Sequence, residues 1–102
     1  MKKFIVNGKE YKAKEFTFNL VCDLEDMGYE MEKMGSKPMT ITRAYFALCA
    51  GVTEEIAGRE IESHLIGGGD FSVISNAMQE QMENSDFFRN LNKTEEENTQ
   101  AN

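Results

Sequence analysis

The chain has 102 residues, with 11 Lys and Arg against 18 Asp and Glu, so its net charge is −7. This length indicates one domain, and the 40% apolar share is typical of a folded globular chain. The acidic balance argues against nucleic acid and anionic membrane surfaces as partners, because both bind through lysine and arginine. No apolar run approaches the ~18 residues of a membrane span, and the start turns polar too soon for a signal peptide. We therefore expect a cytoplasmic location.

Charge is distributed unevenly along the chain. Residues 1–18 carry five lysines and two glutamates, a net charge of +3, whereas residues 19–102 carry −10. A basic end on an acidic body suggests head-to-tail association between copies of the chain. The candidate residues for this self-association are Lys9, Lys12 and Lys14. A lysine-rich strand edge that discourages aggregation would explain the same pattern, so both interpretations stay open.

The N-terminus carries a strong hairpin signal. Asn7-Gly8 stands between two short apolar runs and fits a type I′ turn, which needs a positive φ at both central residues. A two-residue turn pairs Phe4 with Tyr11. One face of the hairpin then carries Phe4, Val6, Tyr11 and Ala13. This face must pack on helices, because an isolated hairpin is only marginally stable.

The first helix is predicted over residues 18–27, with Thr17 or Asn19 as its N-cap. Gly28 fits a helix C-cap, yet the apolar spacing continues through it as far as Met34. Glycine costs only about 1 kcal/mol inside a helix, so a longer helix stays open. The loop-like composition that follows favours a break at the glycine.

Three further helices are predicted after this loop. The second, residues 40–50, is apolar nearly all round, so it should lie at the centre or be covered by a partner. The third has Thr53 as its N-cap. Its predicted buried stripe is Ala57, Ile61 and Leu65. A glycine run ends this helix, and Asp70 is expected to cap the fourth, which extends to about Asn84.

Together these elements predict an α+β, mostly helical fold. An N-terminal β-hairpin packs on a bundle of about four α-helices, within a single domain that spans residues 1–92. Residues 93–102 are acidic and polar, without an apolar residue before Ala101. We expect this tail to be disordered.

Residues that could carry catalysis or bind a cofactor are sparse. His64 follows Glu60 by one helical turn, but two potential ligands are fewer than a metal site needs. No nucleophile belongs to a recognisable motif, so we expect no enzyme activity, no metal and no cofactor. A small carrier or enzyme subunit that uses Ser85 or His64 is the competing hypothesis. Cys22 and Cys49 lack metal-type spacing and are predicted to be free, buried thiols.

Protein binding is the better-supported activity. The chain has seven methionines, whose unbranched side chains adapt to different partner shapes. One group of candidate partner-binding residues, near the predicted loop, is Met31, Met34 and Met39. The other group, near the end of the fold, is Phe87, Phe88 and Leu91. The second group either fastens the last helix to the core or offers aromatic anchors to a partner.

Five stretches of the chain carry a resemblance to a known family. They are FIVNGKEYKAKEFTF (4–18), LEDMG (24–28), KPMTITRAYFAL (37–48), GGGD (67–70) and ENSDFFRNL (83–91). In this order the chain resembles the bacteriophage tail assembly chaperones of long, non-contractile-tailed phages and prophages of Gram-positive bacteria. The shared residues are packing and turn residues, and the family has no active-site residues to transfer.

The resemblance implies a small, mostly helical protein with an N-terminal hairpin. It implies a non-enzymatic chaperone that coats the tape measure protein, keeps it soluble and helps to recruit tail tube subunits. It also implies a homo-oligomer in the host bacterial cytoplasm that is absent from the mature virion. Many such phages also make a longer form by ribosomal frameshifting. The alternative function is that of a small acidic adaptor, or a phage-encoded inhibitor of a host protein.

Overall fold

The structure is a computed structural model that describes residues 2–30 and 35–90. The elements, in order, are β1 (Lys3–Val6), β2 (Lys9–Lys12), α1 (Phe18–Asp26), α2 (Pro38–Ala50), α3 (Glu54–Ile66) and α4 (Ser72–Glu83). Residues 86–90 are also helical. This architecture confirms the predicted α+β, mostly helical fold with an N-terminal hairpin. The predicted disorder of residues 93–102 concerns residues outside the described ranges.

The hairpin forms with the predicted register. Asn7 has a φ of 53° and Gly8 a φ of 79°, which is the backbone geometry that a type I′ turn requires. Val6 is opposite Lys9, and Phe4 is opposite Tyr11. Phe4 and Val6 are buried, so the predicted apolar face does pack against the helices.

Helix α1 ends at Asp26, so the longer helix through Gly28 does not form. Gly28 has a φ of 98° and donates its N–H to the Glu25 carbonyl, while the Tyr29 N–H bonds to the Leu24 carbonyl at 3.0 Å. These two bonds form a Schellman motif, which glycine stabilises because its left-handed backbone carries no Cβ penalty. At the other end, the Thr17 hydroxyl accepts the Leu20 N–H at 3.1 Å and caps the helix.

Helix α2 lies at the centre of the fold, as its all-round apolar character predicted. It packs against α3, α4 and β2. Its buried residues are Ile41, Thr42, Ala44, Tyr45, Phe46 and Ala47. The helix starts at Pro38, two residues earlier than predicted, because proline has the backbone φ of a first helical turn and needs no N–H partner there.

Helix α3 begins as predicted, since the Thr53 hydroxyl accepts the Ile56 N–H at 3.2 Å. The prediction that Leu65 is buried is wrong, because this side chain is 41% exposed. Leu65 lines a groove together with Met39, which lies in the first turn of α2. Met39 is itself exposed and does not cover the Leu65 side chain. Asp70 is not the N-cap of α4 as predicted, because the N-cap residue is Phe71. The Asp70 carboxylate accepts the N–H of Ser72, the first residue of α4.

Two apolar clusters make up the core, and α2 contributes to both. The first cluster joins the hairpin to α3 and α4; its buried residues are Phe4, Val6, Ala13, Phe46, Ala47, Ala57, Ile61 and Ile74. The second surrounds α1; its buried residues are Phe16, Leu20, Val21, Leu24, Ile41, Ala44 and Tyr45. Within residues 2–30 and 35–90, no helix has the length and apolar character to cross a membrane.

Candidate functional site

Met39 lies on an open groove between α2, α3 and the start of α4. Its side chain is 68% exposed. The groove encloses about 220 Å³ and is lined by Met39, Thr40, Arg43, Gly58, Ile61, Leu65 and Phe71. Its wall is mainly apolar, and Arg43 is the one cation among the described residues that line it. We call this surface the Met39–Leu65 groove.

A polar network lies behind this groove and fixes the chain that leads into residues 31–34. The Tyr29 hydroxyl donates to Glu54 Oε2 at 2.8 Å, and Arg43 lies 3.6 Å from the same oxygen. Burial, followed by the bond to Glu54, raises the pKa of Tyr29. The network joins the end of α1 to α2 and α3. Candidates Met31 and Met34 lie outside the described residues.

Phe87 and Phe88 both contact the body of the protein. The Phe88 ring meets Phe16 edge-on at 6.0 Å, and the Phe87 ring meets Phe18 edge-on at 5.7 Å. Both rings are half-buried, so they fasten the helical end to the core while keeping part of each ring accessible. Phe18 is 63% exposed and extends this aromatic surface. The third candidate of the group, Leu91, is outside the described residues.

Ser85 holds this helical end in place. Its hydroxyl donates to the Phe16 carbonyl and accepts the Phe88 N–H at 3.0 Å, and the residue is 8% exposed. Both hydrogen-bonding functions of the hydroxyl are therefore used, one across the fold and one as a helix cap. This geometry gives Ser85 a structural role.

His64 connects the tip of the hairpin to α3. Its Nδ1 accepts the Asn7 N–H at 3.0 Å, and its Nε2 lies 3.1 Å from the Asp70 carbonyl. A neutral ring with its proton on Nε2 satisfies both contacts. Glu60, which shares this helix face as expected, accepts the Asn7 side-chain amide at 3.1 Å. These bonds dock the hairpin turn on α3, so His64 and Glu60 have a structural role in the fold.

The three candidate lysines lie on and after β2. Lys9, Lys12 and Lys14 are all exposed. Two other lysines of the basic end form ion pairs within the chain, Lys2 with Glu80 at 3.3 Å and Lys3 with Glu10 at 3.1 Å. The positive charge that faces solvent is therefore concentrated around β2.

The two cysteines are free, as predicted, but both are only half-buried. Burial raises the pKa of the Cys49 thiol, which keeps it protonated and unreactive near neutral pH. Among the residues that the structure describes, no group of three or more His, Cys, Asp or Glu side chains could hold a metal ion.

Two exposed isoleucines of α3 were not predicted, Ile66 at 80% exposure and Ile56 at 45%. Ile5 is 58% exposed, as expected for the hairpin face opposite Phe4 and Val6. The exposure of one residue at the end of α3 was predictable from the sequence. Leu65 and Ile66 are neighbours on a helix, about 100° apart around its axis, so a single apolar stripe cannot bury both. Comparisons with protein-family models, curated proteins and solved structures gave no match.

Proposed function

We propose that this protein is a non-enzymatic bacteriophage tail assembly chaperone that coats a tape measure protein and keeps it soluble. In this role it acts in the host cytoplasm, helps to recruit tail tube subunits and works in several copies. The proposal rests on the resemblance of the five stretches quoted above. The structural observation that carries it is the Met39–Leu65 groove, an exposed apolar surface on an acidic helical body.

The chemistry of the groove suits this client. A tape measure protein is long and rich in apolar helix faces, so free copies tend to aggregate. An apolar groove accepts such a face through spaced side chains, and Met39 adapts to different residues along it. The net charge of −7 keeps the coated complex in solution by repulsion between like-charged assemblies.

Co-expression with the tape measure protein encoded near this gene tests the proposal. We expect the tape measure protein to be soluble only with this chain, and to co-purify on a tag placed on it. If it stays insoluble and nothing co-purifies, the chaperone function is wrong for this form of the protein, and the general adaptor becomes the leading hypothesis.

Substitutions locate the binding surface. Met39→Glu and Leu65→Glu place a charge on the groove, and each should reduce the co-purified tape measure protein about tenfold, as loss of a central apolar contact does. Ile66→Glu is the matched control, because it adds the same charge to the same end of α3 on a side chain that does not line the groove. Equal losses in all three variants would show that added charge, not the groove, is responsible.

A further inference from the structure

Among the described residues, no strand pairs with the outer edge of β2. The two-residue turn makes Val6 and Lys9 a hydrogen-bonded pair, and the Ala13 N–H bonds to the Lys2 carbonyl at 2.9 Å. Hydrogen-bonded and non-hydrogen-bonded pairs alternate along an antiparallel ladder. The N–H and C=O groups of Glu10 and Lys12 therefore point away from β1.

The two edges of this sheet differ in their surroundings. Within the described residues the sheet has two strands only. Strand β1 packs against α3 and α4, whereas β2 packs against α2, which lies beneath its apolar face. Lys9, Glu10 and Lys12 are all exposed. The edge of β2 is thus accessible, and such an edge is a template for another strand.

We propose that β2 is a self-association surface on which two copies of this chain pair edge to edge, antiparallel, about a twofold axis at Tyr11. In this register Glu10 is opposite the partner's Lys12, and Lys12 is opposite the partner's Glu10. Each of these two pairs exchanges both backbone bonds, about four in all. Opposite charges on directly opposed residues add to the stability of the ladder.

The charges select this register over its neighbours. A shift by two residues in one direction places Glu10 against the partner's Glu10, and a shift in the other places Lys12 against the partner's Lys12. Like charges in directly opposed positions destabilise a strand pair. Lysines on an edge usually oppose pairing for this reason, but in the proposed register Lys12 meets the partner's Glu10, a carboxylate that also pairs with Lys3 of its own chain.

The inner face of the joined sheets also gains a contact. Tyr11 is half-buried and packs edge-on against Phe46 with ring centroids 5.0 Å apart. On the twofold axis it meets the partner's Tyr11, and aromatic pairs across strands are favourable. The same patch serves both copies, so the association closes as a dimer. It uses neither the Met39–Leu65 groove nor the tape measure protein, so its test is separate from that of the proposed function.

A charge swap tests the proposal on the full-length chain. Sedimentation equilibrium from about 10 μM to about 1 mM covers the weak range expected of a small interface. We expect the wild type to reach twice the 11.6 kDa chain mass. Glu10→Lys or Lys12→Glu alone should weaken the dimer at least about tenfold, because each opposes like charges twice. The double variant E10K/K12E restores both pairs and should restore the dimer.

Lys9→Glu is the matched control. It makes the same charge change as Lys12→Glu on the same strand, but Lys9 is opposite the partner's Ala13, so the dimer should persist. All these side chains are exposed, and circular dichroism checks that each variant is folded. A wild type that stays monomeric, a double variant that stays dissociated, or a Lys9→Glu loss equal to that of Lys12→Glu would overturn the proposal. The last result would favour the head-to-tail contact between basic and acidic surfaces.

Discussion

At the scale of single residues, Tyr45 joins α2 to the chain between β2 and α1. Its hydroxyl donates to the Lys14 carbonyl at 2.6 Å, and its ring stacks on Phe16 at 5.5 Å. The side chain is fully buried. Burial is the main reason that its pKa lies far above the usual 10.0 of tyrosine. The native state therefore holds this proton at pH values where the unfolded chain loses it.

Replacing Tyr45 by Phe should destabilise the protein near neutral pH, and this destabilisation should shrink at alkaline pH. Near pH 7 the Lys14 carbonyl loses its donor, and we expect the free energy of unfolding to fall by about 1–2 kcal/mol. Above pH 10 the native wild type binds more protons than its unfolded state, so its stability falls by about 1.4 kcal/mol per pH unit through this residue. The variant lacks that loss, so the two stability curves should converge.

Urea unfolding of both proteins between pH 7 and 11.5 measures this convergence. Tyr29, whose pKa is also raised, is present in both proteins and contributes equally to each curve. Curves that stay parallel throughout the alkaline range would show that the hydroxyl of Tyr45 ionises as easily in the native state as in the unfolded chain.

At the scale of elements, replacing Gly28 or Gly58 by alanine should change the free energy of unfolding in opposite directions. Gly28 has a φ of 98°, so Gly28→Ala should lower the free energy of unfolding by about 1–2 kcal/mol. Gly58 lies inside α3, where an added Cβ meets only Arg43 Cδ at 3.4 Å. Gly58→Ala should therefore raise the free energy of unfolding by about 0.5–1 kcal/mol. Thermal unfolding of the two variants beside the wild type measures both shifts, and shifts of equal sign would contradict this account.

Local sequence signals were sufficient for most element boundaries. Asn7-Gly8 specified the hairpin register, and Thr17 and Thr53 specified two helix starts, because a turn or a cap depends on a few neighbouring residues. The exposure of Leu65 was not predictable in this way. Whether the end of a stripe is covered depends on the side chains of another helix, here the exposed Met39.

The parts of the candidate site that sequence analysis missed depend on contacts between distant residues. His64 accepts the N–H of Asn7, which lies 57 residues earlier, and Ser85 bonds to the carbonyl of Phe16, 69 residues earlier. No periodicity within one element contains such information. The exposure of Met39, next to the proline that begins α2, was predicted correctly, whereas its role in partner binding stays a prediction.

At the scale of the whole molecule, the two core clusters share α2. Phe46 and Ala47 belong to the cluster under the hairpin, while Ile41, Ala44 and Tyr45 belong to the cluster around α1. Neither cluster can lose its packing without exposing part of the same helix. A core shared in this way indicates that the hairpin and α1, which pack on opposite faces of α2, unfold together.

Two truncations at the far ends of these clusters test that cooperativity. Phe4→Ala removes a buried ring under the hairpin, and Leu24→Ala removes a buried side chain from α1. Each should lower the free energy of unfolding by about 3–4 kcal/mol, whereas Ile66→Ala, on a side chain 80% exposed, should change it by less than about 0.5 kcal/mol. Native-state hydrogen exchange should show amides of β1 and α1 losing protection by the same amount in each core variant, because one opening exposes both. If Phe4→Ala weakened protection in the hairpin alone, the chain would contain two units that fold separately, and α2 would retain its contacts with α1 after the hairpin had detached.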